Sequence, residues 1–449
     1  MAGVLARSAL TAGLAGLLFG FDTAVIAGVT SDLRHVFALG QTELGITVST
    51  ALWGTLVGAL AVGKPGDRYG ARDSLKLMAL MYLVSAIGCA LAWSWPVFLV
   101  FRVIGGLAIG GSSVLAPVYI SEIAPARRRG VLVGLFQIFV VTGILAAYCS
   151  NFLIGQAGFG ALEWRAKLCA PALPAALVLG LLYSIPNSPR WLIAKGRAHE
   201  ALAVLKRLGE PDPEGEAAEI VAAVAVDAGQ SGERLSLRRH AKPLFLAVTV
   251  ALFNQLSGIN AILYYLNDIF AAAGFGKVSS DEQSIAIGAT NLLFTLAAMA
   301  VIDRVGRKPL LLIGSVGTAV CLAAAGVILS GHGAPAALLP VLIGFIAAFA
   351  FSQGAVIWVY ISEVFPTSVR SRGQSVGCAT HWIANAAISG LFPYVAAKSR
   401  GAPFMVFAAM MALQFVVVLL AYPETRGVSL EAMSQALGRK TSRMEQETA

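Results

Sequence analysis

Long apolar runs separated by short polar clusters form the dominant pattern of this chain. A helix that crosses the hydrocarbon core of a bilayer needs about 20 predominantly apolar residues. The pattern predicts twelve such helices, over residues 9–30, 44–65, 75–95, 97–120, 130–153, 168–186, 243–273, 282–302, 308–330, 335–361, 373–396 and 402–422. The first run is too long for a cleaved signal peptide, and the apolar pattern resumes directly after it. The chain is therefore predicted to be an all-α, multi-pass membrane protein.

One long polar segment divides the twelve helices into two sets of six. It covers residues 187–242, contains three prolines and alternating charges, and predicts short helices near 190–208 and 214–226. The expected organisation is a six-helix bundle over 1–186, a cytoplasmic helical linker over 187–242, a second six-helix bundle over 243–422 and a cytoplasmic tail over 423–449.

Composition supports the membrane assignment and excludes several other classes. Of the 449 residues, 57% are hydrophobic and only 13% are charged, about half the charged share of a soluble domain. The five cysteines are widely spaced, and no catalytic triad, metal-ligand cluster or phosphate-binding loop is recognisable. We therefore expect neither an enzyme nor a bound cofactor, and we interpret the net charge of +9 as a topology signal rather than as a sign of nucleic-acid binding.

The positive charges predict the orientation in the membrane. If both termini are cytoplasmic, 26 of the 33 lysines and arginines lie in cytoplasmic segments, six lie outside, and Arg102 lies within a span. Cytoplasmic loops of membrane proteins carry such an excess. Both termini are therefore predicted to be cytoplasmic.

The two sets of six helices share sequence. Residues 118–125 (VYISEIAP) match residues 359–366 (VYISEVFP), and residues 67–70 (DRYG) match residues 303–306 (DRVG). Each copy follows the corresponding span of its half. A same-direction repeat of six spans is typical of transporters, whose substrate site lies at the membrane midplane between the repeats. The repeat therefore favours a transporter over a channel or a membrane enzyme.

Six motifs in order along nearly the whole chain resemble the sugar porter family of the major facilitator superfamily. They are residues 63–72 (GKPGDRYGAR), 303–308 (DRVGRK), 186–192 (PNSPRWL), 423–427 (PETRG), 16–26 (GLLFGFDTAVI) and the repeated YISE segments. The first span is most similar to that of bacterial proton–sugar symporters, especially xylose symporters. Ala71 and Asn187 depart from the family pattern, which usually has Arg and Glu there, and each departure removes a partner from the family's cytoplasmic charge network.

The resemblance implies the fold and the activity. We expect two pseudo-symmetric six-helix bundles, a monomer in a bacterial inner membrane, and import of a monosaccharide coupled to protons by alternating access. A hexose such as glucose or fructose is the favoured substrate. A pentose or polyol symporter, a passive sugar facilitator similar to the animal glucose transporters, and a sugar sensor remain alternatives.

Charged residues at the inner ends of the spans form a predicted cytoplasmic gate. Each half contributes an Asp-Arg pair and a Glu with a following Arg at matching places, and the hypothesis is that their contacts stabilise the outward-open state. The gate residues are Asp67, Arg68, Arg72, Glu122, Arg129, Arg190, Asp303, Arg304, Arg307, Glu363, Arg370 and Glu424.

Two charges stand inside predicted spans, Asp22 in the first and Arg102 in the fourth. A charged side chain at the bilayer centre costs about 2.5–3.5 kcal/mol on insertion scales, so such residues are rarely without a function. A buried ion pair with a purely structural role is the alternative. Proton-coupled relatives have Asp at this position, so the resemblance implies that Asp22 and Arg102 couple proton movement to sugar transport.

A sugar site needs amides for its hydroxyls and aromatic faces for its C–H surface. Such residues cluster in the apolar spans, where an interhelical hydrogen bond is the alternative role of each amide. The predicted substrate-binding residues are Phe19, Gln137, Asn254, Gln255, Asn260, Tyr264, Asn291, Gly354, Trp358, His381, Trp382 and Asn385. Gln255 and Asn260 are five residues apart, so a helix break near Gly258 is needed to bring both into one site. By resemblance, His381 makes fructose a candidate and Ile144 disfavours xylose.

Overall fold

The computed structural model describes residues 2–125, 128–229, 235–366, 369–426 and 428, and the regular structure within these ranges is helical. Most of the predicted tail lies outside the described residues. The chain divides into two compact units, one of residues 1–39 and 50–231, the other of residues 40–49 and 232–449.

The first unit contains the helices of the N-terminal half and most of the linker. Helix α3 contributes residues to both units. The helices are α1 (Ala2–Val25), α2 (Thr30–Phe37), α3 (Gln41–Ala61), α4 (Gly63–Tyr69), α5 (Ala71–Leu91), α6 (Trp95–Ile123), α7 (Arg129–Gln156), α8 (Glu163–Cys169), α9 (Ala172–Leu182), α10 (Pro189–Ala194), α11 (Ala198–Leu208) and α12 (Pro213–Gly229).

The second unit contains the remaining spans, two of which are interrupted. Its helices are α13 (Ala241–Leu256), α14 (Ile259–Tyr264), α15 (Leu266–Ala272), α16 (Lys277–Val305), α17 (Arg307–Val327), α18 (Leu338–Phe351), α19 (Gln353–Glu363), α20 (Arg370–Lys398) and α21 (Ala402–Ala421). The buried core of this unit surrounds Leu246, Leu310 and Tyr360, with the ring of Tyr360 stacked on that of Tyr422 at 5.2 Å between centroids.

Eleven helical segments in the described part of the chain are long and apolar enough to cross a membrane. The one predicted span not among them is the eleventh, over 373–396, which corresponds to α20; this helix has sufficient length but carries His381, Asn385 and other polar residues along it. Large apolar side chains such as Leu173 and Leu420 are about four-fifths exposed, at 80% and 78%. Such surfaces suit contact with lipid, where the backbone must satisfy its own hydrogen bonds.

Small residues let helices of the first unit approach closely. No space for a Cβ exists at Gly20, where the main chain of Val140 on α7 lies against α1. Gly106 and Gly110 on α6 fit in the same way against the backbone of α3. Small residues spaced by four are typical of helix packing in membranes, because they allow van der Waals contact between backbones.

The helix boundaries differ from the sequence expectation at several places, and the sixth predicted span is divided into α8 and α9. The predicted seventh span is divided into α13, α14 and α15, and the tenth is divided at Ser352, which was not expected. The linker helix predicted over 190–208 is two helices, α10 and α11. The turn between them contains Gly196 at φ +74°, in the left-handed region that glycine adopts without steric cost.

Candidate functional site

The two intramembrane charges meet inside the first unit. The Nη1 of Arg102 on α6 lies 3.4 Å from the Oδ2 of Asp22 on α1, and both residues are buried, at 3% and 5% exposure. Charge-assisted N–H···O bonds are usually about 2.7–2.9 Å and often bidentate, so this single contact is long. The pair neutralises two buried charges through one long contact.

Polar groups of α5 and α6 surround the ion pair. Ser85 donates a hydrogen bond to the carbonyl of Phe101 at 2.8 Å, and the hydroxyls of Tyr82 and Ser112 are 3.0 Å apart. A Cβ at Gly105 would lie 3.7 Å from Asp22 Oδ2 and within 2.5 Å of Ser85 Oγ, so glycine keeps this side of the carboxylate open. The Nε of Arg102 has no hydrogen-bond partner among the described residues. The site therefore retains capacity for a further polar contact.

A helix break in the second unit brings distant amides together. Gly258 separates α13 from α14 at φ +76°, and the ring of Phe407 fills the space that a side chain would need. Ser257 satisfies the interrupted backbone: its Oγ donates to the carbonyl of Asn254 at 2.6 Å and accepts from the N–H of Ile259 at 3.3 Å. Both steric and conformational reasons therefore require glycine at 258.

Gln255 is the centre of the resulting amide cluster. Its Oε1 accepts from Asn260 Nδ2 at 2.9 Å, and its Nε2 donates to Asn254 Oδ1 at 2.9 Å. Asn254 Nδ2 donates in turn to the main-chain carbonyl of Gln353 at 3.5 Å. Since a carbonyl can only accept, this last contact determines which atom of each of the three amides is the oxygen and which is the nitrogen. The break at Gly258 thus joins Gln255 and Asn260 as the sequence requires.

His381 on α20 completes this cluster. Both imidazole nitrogens lie 3.2 Å from Gln255 Nε2, and the ring contacts Trp358 at 5.0 Å and Trp382 at 5.1 Å between centroids. Because Gln255 presents its N–H₂ group, the imidazole nitrogen that faces it must accept. Trp358 is 41% exposed, so one aromatic face remains open to a ligand.

A second polar group lies one turn further along α20. Asn385 Nδ2 donates to the hydroxyl of Tyr264 at 3.4 Å, and Ser389 Oγ donates to Asn385 Oδ1 at 3.1 Å. Tyr265 donates to the carbonyl of Ser389 at 3.0 Å. Asn385 is fully buried and engaged with protein groups, whereas Asn260 is only partly buried.

The other predicted sugar-binding residues make no side-chain hydrogen bond to the amide cluster among the described residues, or belong to the other unit. Asn291 on α16 accepts from Thr295 of its own helix at 3.5 Å. Gly354 is the second residue of α19, directly after the break at Ser352. In the first unit, Phe19 lies 6.5 Å from Phe136, and Gln137 is half-buried on α7.

Predicted gate charges of the second unit form a continuous network. The Arg307 guanidinium binds Glu363 through two contacts of 2.9 and 3.2 Å and Asp303 at 3.0 Å. Thr425 Oγ1 donates to Glu363 at 2.6 Å. Glu424 accepts main-chain N–H groups at the start of α17. This network links the end of α16, the start of α17 and the end of α19 to the segment after α21.

Glu424 caps helix α17. Its carboxylate accepts the N–H groups of Arg307, Lys308, Thr425 and Arg426 at 2.8–3.0 Å. Burial opposes ionisation, but these four donors outweigh it and hold the pKa of the Glu424 carboxyl below its usual range.

The predicted gate charges of the first unit are arranged differently. Arg72 binds its neighbour Asp73 through two contacts of 3.0 Å and donates to the carbonyl of Ile185 at 3.2 Å. Glu122 is hydrogen-bonded to Ser188 and faces the charge of Arg190. The remaining predicted gate residues are the exposed Asp67, Arg68, Arg129 and Arg304, and Arg370 at the start of α20.

Four residues that the sequence analysis did not assign to a site take part in these clusters. Ser257 satisfies the backbone at the helix break, Ser389 donates to the Asn385 amide, Gln353 orients Asn254, and Thr425 joins the charge network of the second unit. Ser389 follows Asn385 by four residues, a spacing that places both on one helix face and that was available in the sequence.

Comparisons with known proteins agree with this architecture. The family model described as "Sugar (and other) transporter" matches residues 8–437. The chain is 33% identical to the D-xylose-proton symporter of Escherichia coli K12, covering 98% of this chain and 97% of the relative, and 36% identical to the arabinose-proton symporter of Bacillus subtilis, covering 94% and 93%. A solved inward-open structure of the E. coli xylose transporter XylE superposes with a TM-score of 0.85 at 31% identity, covering 96% of this chain and 99% of that one.

Replacing the Glu424 carboxylate should destabilise the protein in a pH-dependent way. A carboxyl with a depressed folded-state pKa contributes its full stabilisation above the ordinary Glu pKa of about 4.3 and loses it as the pH falls through the folded-state value. We expect Glu424→Gln to lower stability by about 1 kcal/mol at pH 7, a typical effect for a helix cap.

Thermal unfolding of the purified carrier between pH 3 and pH 7 measures this difference, which should disappear at the acid end. Glu200→Gln is the matched control, because Glu200 forms an exposed pair with Arg197 at 2.6 Å and such pairs contribute little. An equal effect of the two variants at pH 7 would contradict the capping role.

Proposed function

Because this chain belongs to the sugar transporter family, whose members are carriers and not enzymes, we propose that it imports a monosaccharide together with protons by alternating access. The observation that carries the proposal is the buried contact between Asp22 and Arg102. A passive carrier has no need of an ionisable pair at this depth, whereas a proton-coupled carrier must hold a proton away from water.

Asp22 is the proposed proton-carrying group and Arg102 its conformation-dependent partner. Near Arg102 the carboxylate is favoured as the anion; away from it, burial favours the protonated acid. A movement that lengthens the present 3.4 Å contact therefore changes the proton affinity of Asp22. This links protonation to conformation, which is what coupled transport requires.

The amide cluster of the second unit is the proposed sugar-binding surface. Asn260 and His381 retain donors or acceptors after their contacts with Gln255, and Trp358 offers an exposed ring for the C–H face of a sugar. Gln255 holds Asn260 and His381 in place through its hydrogen bonds. We propose that the other predicted residues also contact the sugar: Phe19, Gln137, Asn254, Tyr264, Asn291, Gly354, Trp382 and Asn385.

A hexose is the proposed substrate, with a pentose as the second candidate. The buried Ile144 on α7 offers no hydrogen bond to a sugar hydroxyl. The pentose alternative is favoured by the names of two relatives, a D-xylose and an arabinose symporter. We further propose that the carrier is a monomer in a bacterial inner membrane, with both termini cytoplasmic.

Competition in vesicles tests the substrate. Purified carrier in proteoliposomes with an imposed proton gradient should accumulate labelled glucose, and an excess of unlabelled glucose or fructose should inhibit this uptake more strongly than xylose or arabinose. Stronger inhibition by a pentose would identify the second candidate. Absence of uptake with every labelled sugar would reject the proposed function.

Neutralising the carboxylate should separate transport from its driving force. In the Asp22→Asn variant the proton site is lost but the sugar-binding surface is intact, so accumulation against a gradient should fall to the level of empty vesicles. Counterflow exchange of sugar, which needs no net proton movement, should persist. The two assays on the same vesicles provide the control, and retained accumulation would refute the role of Asp22.

Removing the amide at the centre of the cluster should weaken sugar binding. Gln255→Leu removes a proposed sugar contact together with the group that orients Asn260 and His381. Losing such a contact should cost about 1–3 kcal/mol of binding free energy, equivalent to about a 5- to 150-fold loss of affinity. Gln414→Leu removes an equally buried amide on α21 and should leave affinity near that of the wild type. Equilibrium binding of the sugar identified above measures both, and equal losses would contradict the site.

A further inference from the structure

The internal repeat extends to the segments that follow the sixth and twelfth spans. Pro186, Asn187 and Ser188 correspond to Pro423, Glu424 and Thr425. The structure supports this alignment, because equivalent tyrosines of the two YISE motifs bind the two prolines. Tyr119 donates to the carbonyl of Pro186 at 2.7 Å, and Tyr360 donates to that of Pro423 at 3.2 Å.

Both segments lie against the start of an equivalent helix. Gly70 precedes α5 at φ +85° and Gly306 precedes α17 at φ +101°. A Cβ at Gly70 would lie 3.4 Å from Asn187 Oδ1, and one at Gly306 would lie 2.7 Å from Glu424 Oε2. Asn187 and Glu424 therefore occupy matching places beside the first turn of each helix.

The start of α17 in the second unit is held by charged side chains. Glu424 accepts the N–H groups of Arg307 and Lys308 at 3.0 Å, and Arg307 pairs with Glu363. Thr425 donates to the same Glu363. An anion at a helix N-terminus satisfies its free N–H groups and interacts favourably with its dipole.

The start of α5 in the first unit lacks both the capping carboxylate and the guanidinium. Ala71 stands at the place of Arg307, so the guanidinium that would reach Glu122 is missing. Asn187 is neutral and one methylene shorter than Glu, and its buried Oδ1 has no hydrogen-bond partner among the described residues. Within the same described ranges no group accepts the N–H of Ala71, the equivalent of the N–H that Arg307 donates to Glu424. The start of α5 therefore lacks the capping carboxylate and the guanidinium pair that hold the start of α17, and the turn before it is held instead by Trp191 Nε1, which donates to the carbonyl of Asp67 at 3.0 Å.

Helix α5 connects this turn to the intramembrane ion pair. Its residue Ser85 binds the carbonyl of Phe101, the neighbour of Arg102 on α6, and Tyr82 binds Ser112 further along the same helix. Ser85 also borders the space at Gly105 that faces Asp22. A displacement at the inner end of α5 is thus transmitted along a rigid helix to the groups around the charge pair.

We propose that the two halves of this carrier have diverged at their inner helix starts, so that the start of α17 is held in place and the start of α5 can move. The missing carboxylate and guanidinium let α5 move relative to α6, and this movement accompanies separation of Asp22 from Arg102. The mobility of the turn before α5 follows from the contacts of this chain itself. Only its link to proton release rests on the proposed function.

Amide hydrogen exchange of the full-length carrier in lipid nanodiscs tests the proposal. In the wild type, residues 70–76 should exchange at least about fivefold faster than residues 306–312, the effect of one helix cap. The repaired variant Ala71→Arg/Asn187→Glu should slow exchange of residues 70–76 by about fivefold. The mirror variant Arg307→Ala/Glu424→Asn, which gives the second half the sequence of the first, should accelerate residues 306–312.

Equal protection of the two turns in the wild type would overturn the proposal, and so would a repaired variant that exchanges like the wild type. If Asn187→Glu prevents folding by burying a charge, Asn187→Gln restores the side-chain length without charge, and its failure to slow exchange would have the same meaning.

Transport provides the second readout. In proteoliposomes the repaired variant should show slower proton-driven uptake, and unchanged uptake together with slowed exchange would reject the link to the ion pair. A wild type that transports no sugar would reject the proposed function but leave the exchange comparison valid.

Discussion

The hydrocarbon core of a bilayer offers no water to a polar group, and this constraint governs the whole structure. Backbone groups must be satisfied within helices, and each buried charge or amide needs a protein partner. The Asp22–Arg102 pair and the cluster around Gln255 are the places where the chain accepts this cost. Because both are expensive to maintain in an apolar environment, they are where function is most reasonably sought.

The two units meet the constraint by different means. In the first unit, helices pack closely through glycines, and a single long contact neutralises the two charges. In the second unit, helices are interrupted, and side chains such as Ser257 replace the lost backbone hydrogen bonds. One half is therefore suited to hold a charge and the other to present amides, although both derive from the same six-span repeat.

The repeat also makes each half a reference for the other. Tyrosines 119 and 360 bind equivalent prolines, and left-handed glycines begin equivalent helices. Asn187 stands where the second half has a capping carboxylate, and Ala71 stands where it has an arginine. Both are local changes in an arrangement that the two halves otherwise share. Divergence of this kind lets one fold combine a fixed and a movable helix start without altering its packing.

The sequence alone determined the helical membrane fold and the family, because apolar run length and short motifs are properties of the chain. The comparisons confirmed the fold and the family. The requirement for a break near Gly258 also followed from the five-residue spacing of Gln255 and Asn260, and the structure contains it. Only the tertiary structure decided that Gln353 orients the amides, that α18 ends at Ser352, and that Glu424 caps α17. These depend on contacts between residues distant in the chain, and helical periodicity carries no information about which carbonyl or N–H group a distant side chain will meet.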